Sequence, residues 1–269
     1  MKFASLPGRR ALQRTVLAAA MAAAGSAASA LPVFTLNPAG AGLTGALVTA
    51  DNILVSDFST VTFGAGGNFT ERGFLSITDF QLGGSNIAAD GLNSTYSLYL
   101  DFTATGHQTL GTTPTAGVTA GVFDTLNYSL MGVSGNSTFN ISTGANPTVT
   151  NAGSPITLAT GSLKEGVVVT VPTGGSFVPS AAATVSFAVA SAAFFQSPVP
   201  FYNTAFTAFT NPLSTVTAFG AAGQAGSGFT INNGGGALNF AQPIPEPETY
   251  ALMLAGLGAM GFVARRRRS

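Results

Sequence analysis

TYSLYLDFT, residues 95–103, decides the fold class of this chain. Every second residue of the stretch is apolar, and the apolar set is Tyr96, Leu98, Leu100 and Phe102. The alternate set is mainly polar and consists of Ser97, Tyr99, Asp101 and Thr103. Because successive side chains of a strand point to opposite faces, this alternation predicts a strand with one buried face.

The same period of two recurs along residues 31–242. The apolar positions that alternate are Val61 and Phe63, Phe139 and Ile141, Val167, Val169 and Val171, Val185, Phe187 and Val189, Phe229 and Ile231, and Leu238 and Phe240. Turn signals rich in Gly and Asn separate these segments, at 64–68, 83–86, 90–91, 174–175 and 232–234. Phe194, Phe195, Phe206 and Phe209 are predicted to pack in the core or between sheets.

No helical pattern of about ten or more residues interrupts the strands of residues 31–242, and no repeat of roughly 20–50 residues is present. We therefore predict an all-β body that forms an antiparallel β-sandwich of roughly eight to twelve short strands. A β-solenoid is the alternative, and the absence of a repeat argues against it.

The charges of the chain are unevenly distributed. The formal net charge of the 269 residues is zero, but the bases cluster at the two ends. Residues 31–242 contain only Arg72 and Lys164 against eight acids, which gives this segment a charge of −6. A body with this charge cannot neutralise a phosphate backbone, so we exclude nucleic acid as a partner. The chain contains no Cys, which excludes disulfides and thiolate metal sites.

Residues 1–30 have the three parts of a secretory signal peptide. A basic segment with Arg9-Arg10 precedes an apolar stretch over 16–25, and Ala28 and Ala30 frame an A-x-A cleavage site. The apolar stretch is too short and alanine-rich for a membrane span. The twin-arginine export route is an alternative, but the residues after Arg10 fit an ordinary basic segment better. We predict cleavage after Ala30.

The C-terminal segment, 243–269, contains a second targeting pattern. Pro245, Glu246 and Pro247 precede an apolar stretch over 250–264, and Arg265, Arg266, Arg267 and Arg268 follow it. As a helix, 250–264 would reach about 22 Å, short of the ~30 Å hydrocarbon core. The positive-inside rule keeps the arginines in the cytoplasm as a basic stop, so the body lies on the other side of the membrane. We predict a short transmembrane helix that is in the membrane transiently.

This order of elements resembles the PEP-CTERM family of exported proteins. The resemblance implies recognition by an exosortase, a membrane cysteine protease that cuts near Pro-Glu-Pro in Gram-negative bacteria that make exopolysaccharide. The membrane-held precursor would then deliver its body to the cell surface or extracellular matrix. A plain single-span C-terminal anchor is the alternative interpretation of the same residues.

The body is similar, in two stretches, to the flocculation-associated subgroup of that family. Residues 91–99, GLNSTYSLY, resemble the Asn-x-Tyr-Gly-Leu-Tyr segment of the subgroup, with Ser97 in place of the usual Gly. Pro200-Phe201-Tyr202 resembles its Pro-Phe-Tyr segment. The resemblance implies a role in floc or biofilm matrix through contact with exopolysaccharide.

No catalytic, cofactor or metal site is predicted. His107 is the only histidine, which excludes multi-His zinc sites and Cys–His catalysis, and we expect it in a solvated loop. Asp51, Asp57, Asp79 and Asp90 carry oxygen ligands suited to Ca²⁺, but no calcium-loop motif is present and we interpret them as solvated acids. Paired carboxylates could hydrolyse a glycosidic bond, although the strand pattern does not show which acids meet.

The sequence therefore predicts a secreted, non-enzymatic surface or matrix protein with a structural or adhesive role. The first alternative is a discrete carbohydrate-binding module, which requires a cleft with exposed aromatic side chains beside Asn or Asp. The second is a polysaccharide-active hydrolase, which requires two carboxylates facing each other in a groove.

Overall fold

Eight long antiparallel strands form the main sheet of the protein. The computed structural model describes residues 31–111, 117–173 and 176–240. The eight strands are β3 (Asn52–Phe63), β4 (Asn68–Leu82), β6 (Tyr96–Leu110), β7 (Thr119–Ser134), β10 (Ile156–Thr173), β11 (Ser176–Ser186), β14 (Thr204–Thr210) and β16 (Gly228–Phe240). Eight shorter strands complete the set: β1 (Phe34–Leu36), β2 (Val48–Ala50), β5 (Ser85–Ile87), β8 (Ser137–Asn140), β9 (Thr148–Asn151), β12 (Ala188–Val189), β13 (Phe195–Ser197) and β15 (Val216–Phe219).

The main sheet closes on itself as an up-and-down barrel. Each long strand pairs with the next one along the chain, and β16 returns to pair with β3. The closing ladder runs from Gly228 opposite Thr62 to Leu238 opposite Ile53. Closure leaves no free edge among these eight strands, and eight strands enclose a lumen just wide enough for side chains or one small ligand.

The all-β prediction is confirmed, but the predicted sandwich is not the arrangement observed, and neither is the solenoid. Alternation identifies one buried face on each strand, and that face can meet a second sheet or the lumen of a barrel equally well. The pairing of β3 with β16, which lie at opposite ends of the described chain, decides between them. No local pattern encodes that pairing.

Residues 95–103 lie in β6 apart from Thr95, and their apolar side chains face the lumen as predicted. Tyr96 and Leu98 are 0% and 1% exposed. The opposite face is also covered in part, because Tyr99 is only 3% exposed. The hairpin of β8 and β9 causes this, since Phe139 lies over the outer wall with its ring centroid 5.5 Å from that of Tyr99.

Several predicted details differ in the structure. Val167 and Val171 lie in a strand as predicted but are 51% and 44% exposed on its outer side. Residues 232–234 form a bulge inside β16 and not a turn between strands. Phe206 is 44% exposed, whereas Phe194 is buried as predicted. The predicted turn at 174–175 lies outside the described residues.

The two ends of the lumen are filled differently. At one end β13, β1 and β2 form a small sheet whose aromatic side chains pack against the barrel. Phe34, Phe187 and Phe201 each lie about 5 Å from Phe240, measured between ring centroids. At the other end, near the β3–β4 connection, the lumen contains a cavity. The described chain has three short 3-10 turns, at Ala39–Ala41, Ala65–Gly67 and Leu213–Thr215, and no α-helix.

Candidate functional site

The predicted sorting segment begins directly after the barrel. All eight barrel strands precede residue 241. The last side chain of β16, Phe240, is 3% exposed at the capped end, by which we mean the end of the lumen covered by the small sheet of β13, β1 and β2. The residues assigned to sorting and cleavage lie outside the described residues: Ala28, Ala30, Pro245, Glu246, Pro247, the apolar stretch 250–264 and Arg265 to Arg268. Across 31–111, 117–173 and 176–240, no helix has the length and apolar character needed to cross a membrane.

The second candidate site is the cavity in the lumen, which has a volume of about 90 Å³. Its wall is mainly apolar and aromatic, and the central side chains are Val61, Phe69, Phe102, Phe123, Phe229 and Ile231. These side chains belong to five of the eight strands. Apolar cavities with a few converging polar groups are the usual form of small-molecule sites.

Three polar side chains of this cavity, Asp57, Glu71 and Asn211, lie together where β3, β4 and the chain after β14 meet, and we call them the polar corner. The other polar residues of the wall come from other strands: Gln108, Thr119, Thr170, Ser180 and Thr207. Asp57 is 4% exposed and Asn211 is 3% exposed. The Asn211 side-chain amide donates to Asp57 Oδ2 over 3.5 Å, which is a long and weak hydrogen bond. Glu71 points into the same lumen from β4, and Ser59 lies between the two acids in the β3–β4 ladder.

Several atoms of this polar corner have no hydrogen-bond partner. They are Asp57 Oδ1, Asn211 Oδ1 and the Ser59 hydroxyl oxygen. Ser59 is near enough to both acids to lower their pKa values somewhat, but its hydroxyl makes no hydrogen bond of good geometry. Buried polar atoms normally have a partner, so this cluster of unpaired atoms is unusual.

Burial shifts the two acids toward their neutral forms. Loss of solvation, helped by the nearby negative charge of Glu71, raises the pKa of Asp57 well above its ordinary value of 3.8. Loss of solvation likewise raises the pKa of Glu71 from 4.5 to about 7. Glu71 keeps some contact with solvent because it faces the cavity. Glu71 therefore titrates in a range where ordinary surface acids are fully ionised, and the pKa of Asp57 is shifted in the same direction.

The bulge in β16 brings Asn211 against Asp57. Asn233 adopts a left-handed conformation with φ of 62°, and the ladder to β3 shifts between Asn232 and Gly234. Gly234 leaves the space that the Asn211 side chain occupies, since a Cβ there would lie 1.9 Å from Asn211 Oδ1. Bulges often re-aim side chains near functional sites, and this one forms one wall of the polar corner.

Within the ranges that the structure describes, no basic side chain lines the cavity beside the two acids. Among the described residues that line the cavity, Asp57 and Glu71 are the only titratable groups. Arg72 points to the outer wall and forms an ion pair of 2.6 Å with Asp101. The described residues contain no group of three or more potential metal ligands of the His, Cys, Asp and Glu types.

The acids named as possible Ca²⁺ ligands do not converge in the structure. Asp57 lies in the lumen, whereas Asp51 accepts a hydrogen bond of 2.8 Å from the Gly83 amide near the other end of β3. Asp79 accepts from the Asn86 side chain at 2.6 Å. The expectation that all four are solvated is wrong for Asp51 and Asp57, which are 7% and 4% exposed.

His107 lies inside β6 and not in a loop. Its Nδ1 atom is 2.9 Å from Asp124 Oδ1 on the outer wall, and both side chains are about half exposed. The strand continues past His107 because β6 pairs with β7 as far as Leu110. A catalytic triad would need a serine hydroxyl beside the His107 ring, and in the described structure the only side chain that hydrogen-bonds to this ring is Asp124.

Sequence reasoning missed the meeting of Asp57 with Glu71, although a signal existed. In β3 the residues that face the lumen are Ile53, Val55, Asp57, Ser59 and Val61, so an acid occupies the apolar phase of the alternation. Glu71 occupies the same phase of β4. An acid on the buried face of an amphipathic strand indicates a special environment, because isolated buried charges are costly.

The stretches that resemble the flocculation-associated proteins lie at the capped end. Gly91 begins a tight turn with φ of 86°, and its carbonyl accepts hydrogen bonds from the amides of Ser94, Thr95 and Tyr96. Ser97 is 1% exposed, and its hydroxyl donates to the Gly135 carbonyl. These stretches therefore contribute packing and turn geometry to the cap.

The outer wall has two contrasting faces. One is rich in hydroxyl and amide groups and contains the neighbouring cross-strand rows Thr70–Thr105–Thr125 and Thr103–Asn127–Ser162, which we call the polar face. The other contains a row of small apolar side chains: Val122, Val167, Ala182, Ala208 and Ala237. All six members of the polar face are exposed.

Comparison with known proteins identifies the C-terminal segment. A family model described as the PEP-CTERM protein-sorting motif matches residues 243–268. No curated protein and no solved structure shows significant similarity to the chain. The match confirms the interpretation of Pro-Glu-Pro, the apolar stretch and the arginine cluster as one signal. The chain thus carries a PEP-CTERM protein-sorting motif at residues 243–268, and this motif supports its export and its exosortase-dependent sorting to the surface of a Gram-negative cell.

Proposed function

We propose that the protein is a non-enzymatic structural or adhesive component of an exopolysaccharide-based matrix, such as that of a biofilm or floc. An N-terminal signal peptide over 1–30 takes the chain across the inner membrane, and the apolar stretch 250–264 holds the precursor there. Exosortase then cuts near Pro245, Glu246 and Pro247. The barrel is the part that reaches the cell surface or the matrix.

The observation that carries this proposal is the position of the sorting motif relative to the barrel. The motif match begins at residue 243, and the last barrel strand ends at Phe240. A cut near Pro-Glu-Pro therefore falls outside every ladder of the barrel. The closing pairs between β16 and β3 persist after cleavage, so the released body keeps its fold.

The polar face supports contact with polysaccharide. Its exposed Thr, Asn and Ser side chains supply donors and acceptors in a regular strand spacing, and the Arg72–Asp101 ion pair borders them because Arg72 lies opposite Thr103. Thr105 and Thr125 already hydrogen-bond each other at 2.8 Å, so the surface is ordered before any ligand binds. Neutral hydroxyl and amide groups match the hydrogen-bonding groups of a sugar chain.

The two alternatives have weaker support. Phe206 is the most exposed aromatic side chain of the described residues, at 44%, and it stands alone beside Asn239 without forming a cleft. Asp57 and Glu71 do meet, but the lumen around them has about 90 Å³ and does not admit a polysaccharide chain. We therefore favour an adhesive surface over a carbohydrate-binding module or a hydrolase.

Mass spectrometry of the mature C-terminus tests the sorting step. We expect a shortened C-terminus in the unmodified protein and the full tail after Pro245, Glu246 and Pro247 are replaced by Ala together. The matched control is Gln242→Ala, which lies outside the matched motif and should leave processing unchanged. An intact tail on the unmodified protein in exosortase-positive cells would overturn the proposed processing.

Retention by the exopolysaccharide of the producing culture tests the adhesive step. Replacing Asn127 and Ser162 by Ala removes two groups of the polar face, and each lost hydrogen bond should weaken retention about 5-fold. Ala208→Ser, on the apolar row of the outer wall, serves as the control. Equal retention of all three proteins would contradict the role of the polar face.

A further inference from the structure

We propose that the cavity in the barrel lumen is a binding site for a small primary ammonium, namely a short alkylamine in its protonated form. The charged head would lie at Asp57, Glu71 and Asn211, and the alkyl part would lie among the Phe side chains. This inference concerns the lumen alone and is independent of where the protein is delivered.

The polar corner is rich in acceptors, which decides the chemistry of the ligand. Two of the three unpaired buried atoms are acceptors: Asn211 Oδ1 can only accept, and Asp57 Oδ1 can only accept once its carboxyl is ionised. An ammonium group has three donors and no acceptor. A carboxylate ligand would place acceptor against acceptor, and a neutral alcohol would supply a single donor for several acceptors.

Charge points to the same ligand. Asp57 lies in β3 and Glu71 in β4, and within the described part of the chain no ionisable side chain faces them from the other strands that line the cavity. His107 in β6 and Asp124 in β7 pair with each other on the outer wall. Lys164 and Glu165 of β10 are exposed as well. Two buried carboxyls without a cation are costly, and a bound ammonium relieves that cost.

The apolar wall matches a short hydrocarbon tail. Phe69 and Phe123 pack edge to face with ring centroids 5.9 Å apart, and Phe229 contributes a third ring to the wall. Aromatic faces attract cations and bury alkyl groups equally well. A volume of about 90 Å³ limits the enclosed part to a few carbon atoms.

The test uses the purified full-length chain and compares three probes with four carbon atoms each: n-butylamine, n-butanol and butyrate. Binding is measured by isothermal titration calorimetry and by NMR shifts of cavity methyl groups. We expect butylamine to bind at least about 10-fold more tightly than butanol at about pH 8, and butyrate not to bind. The affinity for butylamine should fall about 10-fold or more toward pH 5.5, because Asp57 and Glu71 then take up protons.

The matched variants are Glu71→Gln in the lumen and Glu165→Gln on the outer wall. The first should weaken butylamine binding about 10-fold or more, and the second should leave it unchanged. A readout that needs no variant is the proton release on binding at about pH 6.5, measured in two buffers of different ionisation enthalpy. Equal affinity for butylamine and butanol, no proton release, or an unchanged Glu71→Gln variant would each overturn the proposal.

Discussion

The side-chain amide of Asn211 donates a hydrogen bond of 3.5 Å to Asp57, which lies 154 residues earlier in the chain. The contact joins the first long strand to the segment that follows β14. It depends on Gly234, whose missing side chain leaves room for Asn211. The polar corner of the cavity is thus built by a contact between remote segments and by a bulge in a third.

Gly234→Ala should destabilise the barrel by about 2 to 3 kcal/mol, because the new Cβ would lie 1.9 Å from Asn211 Oδ1 and 2.7 Å from Ile231. The control is its neighbour Gly235→Ala, where the nearest atom to a new Cβ is 3.9 Å away. Urea unfolding of both variants measures the difference. If the two alanines cost the same free energy, the packing of Asn211 against Gly234 is not a constraint on the wall.

The raised pKa values predict that the barrel is more stable in mild acid than at neutral pH. The pKa of Glu71 is about 7 in the folded state and near 4.5 when unfolded, so the folded state binds its proton more tightly. This contribution is fully present below pH 4.5 and is lost as the pH rises through 7. Asp57 acts in the same direction, since burial raises its pKa also.

We expect the free energy of unfolding to fall by about 2 kcal/mol or more between pH 4.5 and pH 7.5, after allowance for the partial exposure of Glu71. Glu71→Gln should remove the part of that fall that comes from Glu71 and leave the part that comes from Asp57, and Glu165→Gln should keep the whole fall. Denaturant titrations at several pH values provide the measurement. A stability that stays level or rises over this range would show that the lumen does not hold a protonated glutamic acid.

The sequence alone predicted the class of the fold because alternation is local. Residues 95–103 lie in a strand with its apolar side chains in the lumen, and the glycines of 64–68 form the connection between β3 and β4 as predicted. Barrel closure was not predictable from that pattern. It depends on β16 pairing with β3, and β16 contains Gly234, Gly235 and Gly236, which resemble a turn when considered by themselves.

The two candidate sites differ in the same way. The sorting motif is contiguous, so Pro245, Glu246 and Pro247 could be recognised in order with the arginines that follow. The cavity combines Asp57, Glu71 and Asn211 from three segments, and only the ladder register shows that the first two share a face. The alternating pattern of β3 and β4 could have predicted that both acids face the lumen. It could not have predicted that Asn211 lies beside them.

Arg72, one of the two bases in residues 31–242, makes several contacts on the outer wall, and these contacts can be tested separately. Its guanidinium forms the 2.6 Å pair with Asp101, donates to the Phe102 carbonyl at 2.9 Å, and lies 4.7 Å from the Phe74 ring centroid. Asp101→Asn should cost less than about 1 kcal/mol, since the pair is partly exposed.

Arg72→Ala should cost clearly more, about 2 kcal/mol, because the hydrogen bonds and the stacking on Phe74 are lost together with the ion pair. Thermal unfolding at low and high salt separates the two contributions, and only the ion-pair part should weaken with salt. Equal effects of Asp101→Asn and Arg72→Ala would mean that the charge alone determines the role of Arg72.

Phe139 attaches the β8–β9 hairpin to the outer wall through contacts between aromatic rings. Its ring stacks on Phe58 at 5.1 Å and meets Tyr99 edge to face at 5.5 Å, and these contacts cover the outer side of β6. Phe139→Ala should release the hairpin and cost about 2 to 3 kcal/mol, while the closing pairs of the barrel stay intact. Hydrogen exchange should then rise at Thr138 and Thr150 but not in β16, and the near-ultraviolet signal of Tyr99 should weaken.

The control is Phe206→Ala, which removes a ring that is 44% exposed and should change stability by less than about 1 kcal/mol. Faster exchange in β16 of the Phe139 variant would show that the hairpin supports the whole barrel and not only the wall beneath it.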